Sequence, residues 1–373
     1  MVKKSEESKH NRPVKELIDD LTNETESLKI SDNHKIRGDN SDIQLNDEHS
    51  KNSDNEQTSP NDNCISCDDD DGDIMDKDNS ATGRLNDIAL NPLTLSMVGK
   101  SLEERKFKNV MVLCGAGISV SAGIPDFRSP GTGLYDNLKK YNLPHPEAVF
   151  DVDFYRQNPE PFMLLAREIW PGEHSPTLTH CFIRLLEEKN SLLRCYTQNI
   201  DGLEAIVGVS PDKVMECHGN YRTASCIECD TAYDGNLCKN HILDGKNTKP
   251  PICRMCGGYV KPDIVFFGEG LPGRFGQVLR SDLRIEPDLL IVIGTSLMVT
   301  PVSNIPNYVD CPRVLLNREF VDGFTNKFTD VFEPGDCDES IRKLSRLAGW
   351  EQDLDKIFAS SRLDKCTDHV HLF

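Results

Sequence analysis

Residues 108–119 read KNVMVLCGAGIS, a continuous apolar run that stops at two closely spaced glycines. An apolar run bounded in this way predicts a fully buried strand, and the glycines predict a tight turn after it. The preceding residues 93–104, LTLSMVGKSLEE, place apolar side chains at roughly helical spacing. The region therefore predicts a helix, a buried strand and a turn in which the backbone can approach a phosphate group.

The same pattern recurs further along the chain. Short apolar runs stop abruptly at polar or small residues in SLLRCYTQNID (191–201), DKVMECHG (212–219), PDLLIVIGTS (287–296) and PRVLLN (312–317). Helical patterns such as PFMLLAREIW (161–170) and LTHCFIRLLEEKN (178–190) lie between them. This alternation predicts an α/β fold with a doubly wound parallel sheet. Because ligands bind beyond the carboxyl ends of the strands in such sheets, the residues at which the runs stop form the candidate site.

The composition divides the chain into three parts. It has 373 residues and a formal net charge of -19, and its first eighty or so residues are mostly Asp, Glu, Asn, Ser and Lys. Such a segment buries too little apolar surface to fold. We therefore predict a disordered acidic tail over 1–84, a core over 85–352 and a polar tail over 353–373, with a single final helix, IRKLSRLAGWEQDLDKIF, over 341–358.

The charge and hydropathy also limit the partners. An acidic chain disfavours direct binding to nucleic acid, which needs clustered Lys and Arg. No apolar run reaches the roughly 18 residues that a membrane span needs, and the N-terminal MVKKSEESKH lacks the apolar core of a signal peptide. We expect no membrane association and a cytoplasmic location that can extend to the nucleus.

Two CxxC pairs give the strongest signal in the sequence, Cys226 with Cys229 and Cys253 with Cys256. Four thiolates in two such pairs suit the closed, tetrahedral site of a structural zinc ion. A pair of redox-active dithiols is the competing interpretation, and it fits the fourfold set less well. We expect one structural zinc ion that takes no part in the chemistry.

Other residues could contribute to metal binding. Cys238 and His241 lie in the same loop and are alternative ligands, although the CxxC set is favoured. Cys64 and Cys67 form a third CxxC within the acidic tail, where chance is the simpler explanation.

The glycine-containing stretch GAGISVSAGIPDFRSPGTG (115–133) allows the backbone to approach a pyrophosphate. An ordinary tight turn is an equal alternative, since Val120 occupies the third glycine position of a GxGxxG motif. The stretch continues with Asp126, Phe127 and Arg128, an acid, an aromatic ring and a cation in a loop rich in Gly, Pro and Ser. That combination favours a ligand-binding loop.

Polar residues end two further strands. Gln198, Asn199 and Asp201 either form an Asx turn or hold a ribose or carboxamide. His218 is either a structural hydrogen-bonding residue or a general base, and its position at a strand end favours the base.

The stretch VKPDIVFFGEGLP (260–272) predicts a strand followed by a loop. Its apolar residues either belong to the core or form a channel wall beside a strand edge that an extended peptide can pair with. The residues alone leave both interpretations open.

Taken together, the ordered motifs GAGIS, PDFR, TQNID, HG, two CxxC pairs, KPDIVFFGE, GTS and LLN resemble the sirtuin family over about residues 85–352. Stretches such as IPDFRSPGTGLYDN and LLRCYTQNIDGLE look most like the class I branch, and closest to its sirtuin 2 type. The resemblance implies a Rossmann-like NAD domain with a zinc module inserted over about 219–264. It also implies that an acylated-lysine protein substrate lies in the cleft between them.

The resemblance assigns roles residue by residue. It implies catalytic roles for His218, Asn199 and Asp201. It implies substrate contacts for Phe127, Val265, Phe266, Gly268 and Glu269. It implies NAD contacts for Ala116, Gly117, Ile118, Ser119, Val120, Asp126, Phe127, Arg128, Gln198, Asn199, Ile200, Asp201, Gly294, Thr295, Ser296, Asn317, Arg318, Glu319 and Cys337.

The activity implied is NAD-dependent removal of an acyl group from lysine. The acyl group passes to ADP-ribose as nicotinamide is released, and His218 takes a proton from a ribose hydroxyl. Phe127, Phe150 and Phe266 suggest an apolar acyl channel that suits acetyl or longer groups. Protein ADP-ribosylation from the same NAD site is the alternative function. A non-catalytic zinc module and an oxidoreductase are less favoured.

Overall fold

The computed structural model describes residues 91–126, 131, 133–134, 138–141 and 143–363. The predicted acidic tail, the third CxxC at Cys64 and Cys67, and the predicted ligands Phe127 and Arg128 lie outside these residues. Within the described part of the chain, no helix combines the length and the apolar character needed to span a bilayer.

The elements of regular structure alternate along the chain. Between the α-helices and strands, short 3₁₀ helices span Ala116–Ala122, Leu138–Tyr141, Pro146–Phe150, Pro211–Lys213 and Val302–Asn307. The α-helices and strands are α1 Leu95–Glu103, β1 Val110–Cys114, α2 Val152–Gln157, α3 Glu160–Ile169, α4 Leu178–Glu188, β2 Leu192–Thr197, α5 Leu203–Ile206, β3 Val214–Glu216, β4 Gly219–Cys226, β5 Ala232–Tyr233, α6 Gly235–Leu243, β6 Val260–Ile264, α7 Phe275–Ile285, β7 Leu289–Ile293, β8 Arg313–Asn317, β9 Asp330–Pro334, α8 Cys337–Leu347 and α9 Glu351–Leu363.

Six strands form one parallel sheet in the order β3-β2-β1-β7-β8-β9. This sheet confirms the predicted Rossmann-like α/β fold. Every residue of β1 and β7 is fully buried, as their continuous apolar runs predict for central parallel strands. The edge strand β9 was not predicted, because its sequence DVFEP contains no apolar run.

The strand register brings the predicted strand ends to one edge of the sheet. Cys114 at the end of β1 pairs with Thr197 of β2 on one side and with Ile293 of β7 on the other. Ile293 in turn pairs with Leu316 of β8. Because all these strands are parallel, the residues that follow them emerge together at the carboxyl edge.

Helices cover both faces of the sheet. Val110, Val112 and Cys114 of β1 pack in one core with α1, α4, α8 and α9. The alternate residues Met111 and Leu113 pack in a second core with α7. We call this sheet and its helices the large lobe.

A second, smaller unit contains the CxxC pairs. Its antiparallel sheet has the order β5-β4-β6 and lies within Gly219–Ile264 together with α6. Its core also takes in Phe150, Tyr155 and Phe162, which come from the segment before β2. The pattern PFMLLAREIW was expected to be a helix of the doubly wound sheet, and that placement was wrong. We call this unit, with α2 and α3, the small lobe.

The C-terminal helical region also differs from expectation. The single predicted final helix is two helices, α8 and α9, because the chain turns at Gly349 with a φ of 68°. The second helix, α9, extends past residue 352 and packs on α4 of the large lobe. Lys189 after α4 pairs with Asp353 of α9 at 2.6 Å.

Candidate active site and metal centre

The glycine loop after β1 lies against the loop after β7. The Gly117 amide donates to the Gly294 carbonyl at 2.8 Å, and a Cβ on Gly117 would lie 2.7 Å from Gly294 Cα. Gly294 has a φ of 61°, a conformation that favours glycine. The sequence predicted a tight turn from strand to helix here, and the structure has a 3₁₀ helix over Ala116–Ala122. The two strand-end loops thus pack backbone against backbone at the carboxyl edge.

Asn199, Ser119 and Asp201 form a continuous hydrogen-bond network at this edge. The Asn199 side-chain amide donates to the Gly115 carbonyl and to Ser119 Oγ, both at 3.2 Å. Ser119 Oγ donates to Asp201 Oδ2 at 2.7 Å, and Asp201 Oδ1 accepts from the Leu203 amide at 3.0 Å. The structure therefore brings together the polar ends of β1 and β2 that the sequence singled out.

Gln198 connects three strand ends. Its side-chain amide donates to the Cys114 carbonyl at 3.2 Å and to Thr295 Oγ1 at 2.9 Å. The backbone carbonyl oxygen of Gln198 lies 2.9 Å from His218 Nδ1. Gln198 thus links the ends of β1 and β7 to the loop that follows β3.

The contact with Gln198 determines which ring nitrogen of His218 carries the hydrogen. A carbonyl oxygen can only accept, so Nδ1 of His218 must carry the hydrogen. Nε2 then has a free lone pair, and it is buried without a hydrogen-bond partner among the described residues. Burial lowers the pKa of His218 below its usual 6.5, which keeps the ring neutral. A neutral imidazole with a free Nε2 can act as a general base.

The predicted substrate segment begins directly beside His218. The Val265 amide donates to the His218 carbonyl at 2.9 Å. Gly268 has a φ of 91°, and the Glu269 carboxylate accepts from the Phe266 amide at 2.7 Å, which closes a turn. Phe267 exposes 41% of its surface.

The ring of Phe266 lies in the core of the small lobe and does not line a channel. It is 1% exposed and packs edge-to-face with Phe150, Tyr155 and Phe162 in the small-lobe core. Phe150 is also in that core. Of the two interpretations that the sequence left open, core packing therefore describes both rings.

Lys261 is a residue of this segment that the sequence reasoning missed. Its ammonium is 2.7 Å from the Ile264 carbonyl and 2.9 Å from the Glu269 carboxylate, and it lies 4.5 Å from the Phe266 ring centroid. Lys261 is only 6% exposed. A lysine between Val260 and Pro262 in a predicted strand was the available signal, since lysine is rarely buried without a partner.

A cleft of about 1200 Å³ opens beside this segment, between the two lobes. Val265, Gly268 and Glu269 of the predicted substrate set border it, as does Lys261. The opposite wall includes Glu204 of the large lobe.

The remaining predicted cofactor residues follow several different strands of the large-lobe sheet. Asn317 Nδ2 donates to the Glu319 carbonyl at 2.9 Å, and Arg318 lies 3.5 Å from the Asp336 carboxylate. Cys337 begins α8 and is buried, which raises its pKa to about 12. Further residues of the set also follow the central strands, namely Ile118, Val120, Asp126, Ile200, Gly294 and Ser296.

The two CxxC pairs converge on one point of the small lobe. The four Sγ atoms of Cys226, Cys229, Cys253 and Cys256 all lie within 4.8 Å of one another. Cys226 and Cys256 are separated by 3.4 Å, and Cys229 and Cys253 by 3.8 Å. These separations and donors fit one tetrahedral zinc ion.

Backbone amides support the same four sulfurs. The amides of Glu228, Met255 and Gly258 each donate to a cysteine sulfur at 3.4 Å. Such donors stabilise thiolates that would otherwise repel one another. Cys238 is buried in the small-lobe core and His241 bonds the Lys249 carbonyl, so neither belongs to this group.

Comparison with known proteins agrees with these observations. A model of the Sir2 family matches residues 115–301. The chain is 44% identical over 280 residues to the NAD-dependent protein deacetylase hst2 of Schizosaccharomyces pombe, covering 74% of this chain and 83% of that protein. It is 43% identical over 292 residues to the NAD-dependent protein deacetylase sirtuin-2 of Danio rerio, covering 73% and 76%. It is 50% identical over 267 residues to the NAD-dependent protein deacetylase hst2-1 of Emericella nidulans, covering 71% and 73%.

Proposed function

This chain belongs to the Sir2 family, and we propose that its NAD-dependent protein deacetylase activity is carried by the residues at the carboxyl edge of the large-lobe sheet. The protein uses NAD and acts on acetylated protein. The observation that carries the assignment is the meeting of the glycine loop, the Asn199 network and His218 at this edge. Bound NAD supplies an ADP-ribosyl group that accepts the acetyl group, with nicotinamide as the leaving group.

His218 is the proposed general base. Its Nδ1 is held by the Gln198 carbonyl, so the imidazole orientation is set before substrate arrives. Burial keeps the imidazole ring neutral. Its Nε2 lone pair can therefore take a proton from a ribose hydroxyl. The Gln198 carbonyl then stabilises the imidazolium that forms, because it accepts from Nδ1 in both protonation states.

Asn199, Ser119 and Asp201 are proposed to hold the cofactor. Their side chains are already joined by hydrogen bonds, so little ordering is needed on binding. Gly117 and Gly294 let the two strand-end loops pack backbone against backbone, which brings the ends of β1 and β7 together at the edge where the diphosphate is proposed to bind. Thr295, fixed by Gln198, adds a hydroxyl at the same edge.

The segment 265–269 is proposed to bind the acetylated peptide. The Val265 amide is tied to His218, so a peptide held along this segment is brought close to the base. The turn at Gly268 and Glu269 is pinned by Lys261, which gives the peptide a fixed edge to pair with. For Phe127, which lies outside the described residues, a contact with nicotinamide stays a prediction from the family resemblance.

The zinc ion is proposed to be structural. Its four cysteine sulfurs leave no open coordination position for chemistry. The metal ties the loops of the small lobe together and so supports the peptide segment that begins after β6.

Mass spectrometry of an acetyl-lysine peptide incubated with the enzyme and NAD tests this proposal. We expect loss of the acetyl group, release of nicotinamide in equal amount, and no change without NAD. A peptide that keeps its acetyl group and gains an ADP-ribose would instead show that the site performs ADP-ribosylation. A heat-inactivated sample is the control for non-enzymatic loss.

A further inference from the structure

His180 lies at the start of α4, directly beneath the proposed cofactor site. It is fully buried, and the Thr177 backbone amide donates to its Nδ1 at 3.2 Å. Thr177 Oγ1 lies 2.8 Å from Nδ1 and 2.9 Å from the Ile118 carbonyl, and its one hydrogen can be donated to either acceptor. A backbone amide can only donate, so Nδ1 accepts and the neutral ring carries its hydrogen on Nε2.

That Nε2–H group is buried without a hydrogen-bond partner among the described residues. A ring nitrogen of His180 and carboxylate oxygens of Asp201 and Glu204 lie within 4.8 Å of one another. Burial lowers the pKa of His180, although Asp201 and Asp338 face it and oppose the shift. A neutral donor therefore stands beside two carboxyl groups, within reach of either after a small movement or through one water molecule.

The same hydrogen argues against a metal site in this cluster. A histidine ligates a metal through an unprotonated nitrogen. To free Nε2, the hydrogen would have to move to Nδ1, where it would face the Thr177 amide hydrogen. The cluster therefore favours hydrogen bonding between His180 and the carboxyl groups over cation binding.

Glu204 completes the cluster as a neutral acid. It is 2% exposed, and burial, followed by the charge of Asp201, raises its pKa to about 8. Cys114 Sγ lies 3.8 Å from its Oε1, and Cys195 and Glu216 also face it from the neighbouring strands. Near neutral pH Glu204 is therefore mostly protonated and uncharged.

We propose that His180 and Glu204 are positioning residues that hold the Asp201 carboxylate in the orientation that NAD binding needs. Asp201 accepts from Ser119, and Ser119 accepts from Asn199, so the orientation of Asp201 is passed to both. This inference rests on the proposed function, because it assigns the network to the cofactor. Neither residue touches the reacting atoms.

Two substitutions distinguish this positioning role, which uses Nε2 of His180, from the hydrogen bond that Nδ1 accepts at the start of α4. His180→Asn keeps an acceptor near the Nδ1 position for the Thr177 amide but lacks the distant donor. His180→Gln places an amide donor near the Nε2 position but loses the nearby acceptor. We expect His180→Asn to raise the KM for NAD about ten-fold, the effect of one lost hydrogen bond to a charged group, with kcat and the melting temperature nearly unchanged.

The Gln variant should show the opposite pattern, with a lower melting temperature and a KM for NAD near that of the wild type. A wild-type KM in the Asn variant would overturn the proposal. So would an equal rise in both variants, which would indicate loss of packing alone.

The KM for NAD measured against pH tests the role of Glu204. In the wild type we expect KM to rise as the pH passes about 8, because a second buried charge then forms beside Asp201. Glu204→Gln keeps a neutral side chain of the same size, so its KM should not show that rise. Parallel pH curves for the two enzymes would refute the inference. A wild type without NAD-dependent deacetylation would instead refute the proposed function itself.

Discussion

The two lobes reach a stable core by different means. The large lobe buries β1 and β7 completely between helices, and its cores are mainly aliphatic. The small lobe has three strands, of which β5 is only two residues long, and it combines an aromatic cluster with the four-cysteine group. A sheet of that size is marginal without further cross-links.

The lobes also differ in what they contribute to the site. The large lobe supplies the glycine loop, the Asn199 network and the carbonyl that orients His218. The small lobe supplies the segment 265–269 that is proposed to bind peptide. The comparison teaches that chemistry and substrate positioning have separate structural supports, so each can be disturbed alone.

The largest expected effect is on chemistry in the large lobe. His218→Ala removes the proposed base and should lower kcat by about 10²–10⁴-fold, the range for loss of general base catalysis. NAD binding and the melting temperature should stay close to wild type. Steady-state kinetics with an acetyl peptide and calorimetric titration with NAD measure both. His145→Ala, a change at an exposed histidine, is the matched control, and a His218→Ala enzyme of near-normal activity would disprove the assignment.

The next effect is on folding of the small lobe. Cys253→Ser should abolish zinc binding and unfold the small lobe, because metal binding and local folding are coupled. Metal analysis and thermal melting report the two results. The large lobe should keep its helical circular dichroism signal.

Cys238→Ala is the control for this change, since Cys238 is buried in the same core but lies outside the four-sulfur group. It should keep its zinc. Full zinc content and normal melting in Cys253→Ser would show that the four sulfurs do not hold the small lobe together.

A smaller effect is expected where the small lobe positions the peptide. Lys261→Met keeps the aliphatic stem but loses the ammonium that contacts Ile264 and Glu269. We expect the KM for acetyl peptide to rise about ten-fold, with kcat and the KM for NAD nearly unchanged. Lys261→Arg should restore most of the affinity. A fall in kcat at an unchanged peptide KM would contradict the separation of roles between the lobes.

The smallest effect is in the acid pH dependence. Because burial lowers the pKa of His218, its neutral form should persist below the ordinary value of 6.5. The kcat/KM for acetyl peptide should therefore stay level as the pH falls through 6.5 and decline only at lower pH. A decline centred above 6.5 would show that His218 is not desolvated.

Much of this arrangement could be predicted from the sequence because it depends on local signals. Apolar runs that stop at GAGIS, TQNID and GTS gave the strand ends, and the CxxC spacing gave the cysteine group. The parallel register then brings the strand ends together, as the general rule for such sheets requires.

The remaining features depend on contacts between distant segments. The helix α3 belongs to the small lobe because Phe162 packs against Tyr155 and Phe266. The helical periodicity of its sequence does not show which core it packs in. The ion pair of Lys261 with Glu269 and the closeness of His180 to Asp201 and Glu204 likewise arise only after folding. The break between α8 and α9 was visible as Gly349, but a single glycine inside a helical pattern is often tolerated.

The central claim is that a neutral His218 with an unprotonated Nε2 stands ready at the carboxyl edge of the large lobe. Nitrogen-15 NMR of the histidine rings at neutral pH, with the His218 signals assigned by their loss in His218→Asn, measures this directly. The account predicts a hydrogen on Nδ1 and none on Nε2. A hydrogen on Nε2, or a ring protonated on both nitrogens, would contradict it.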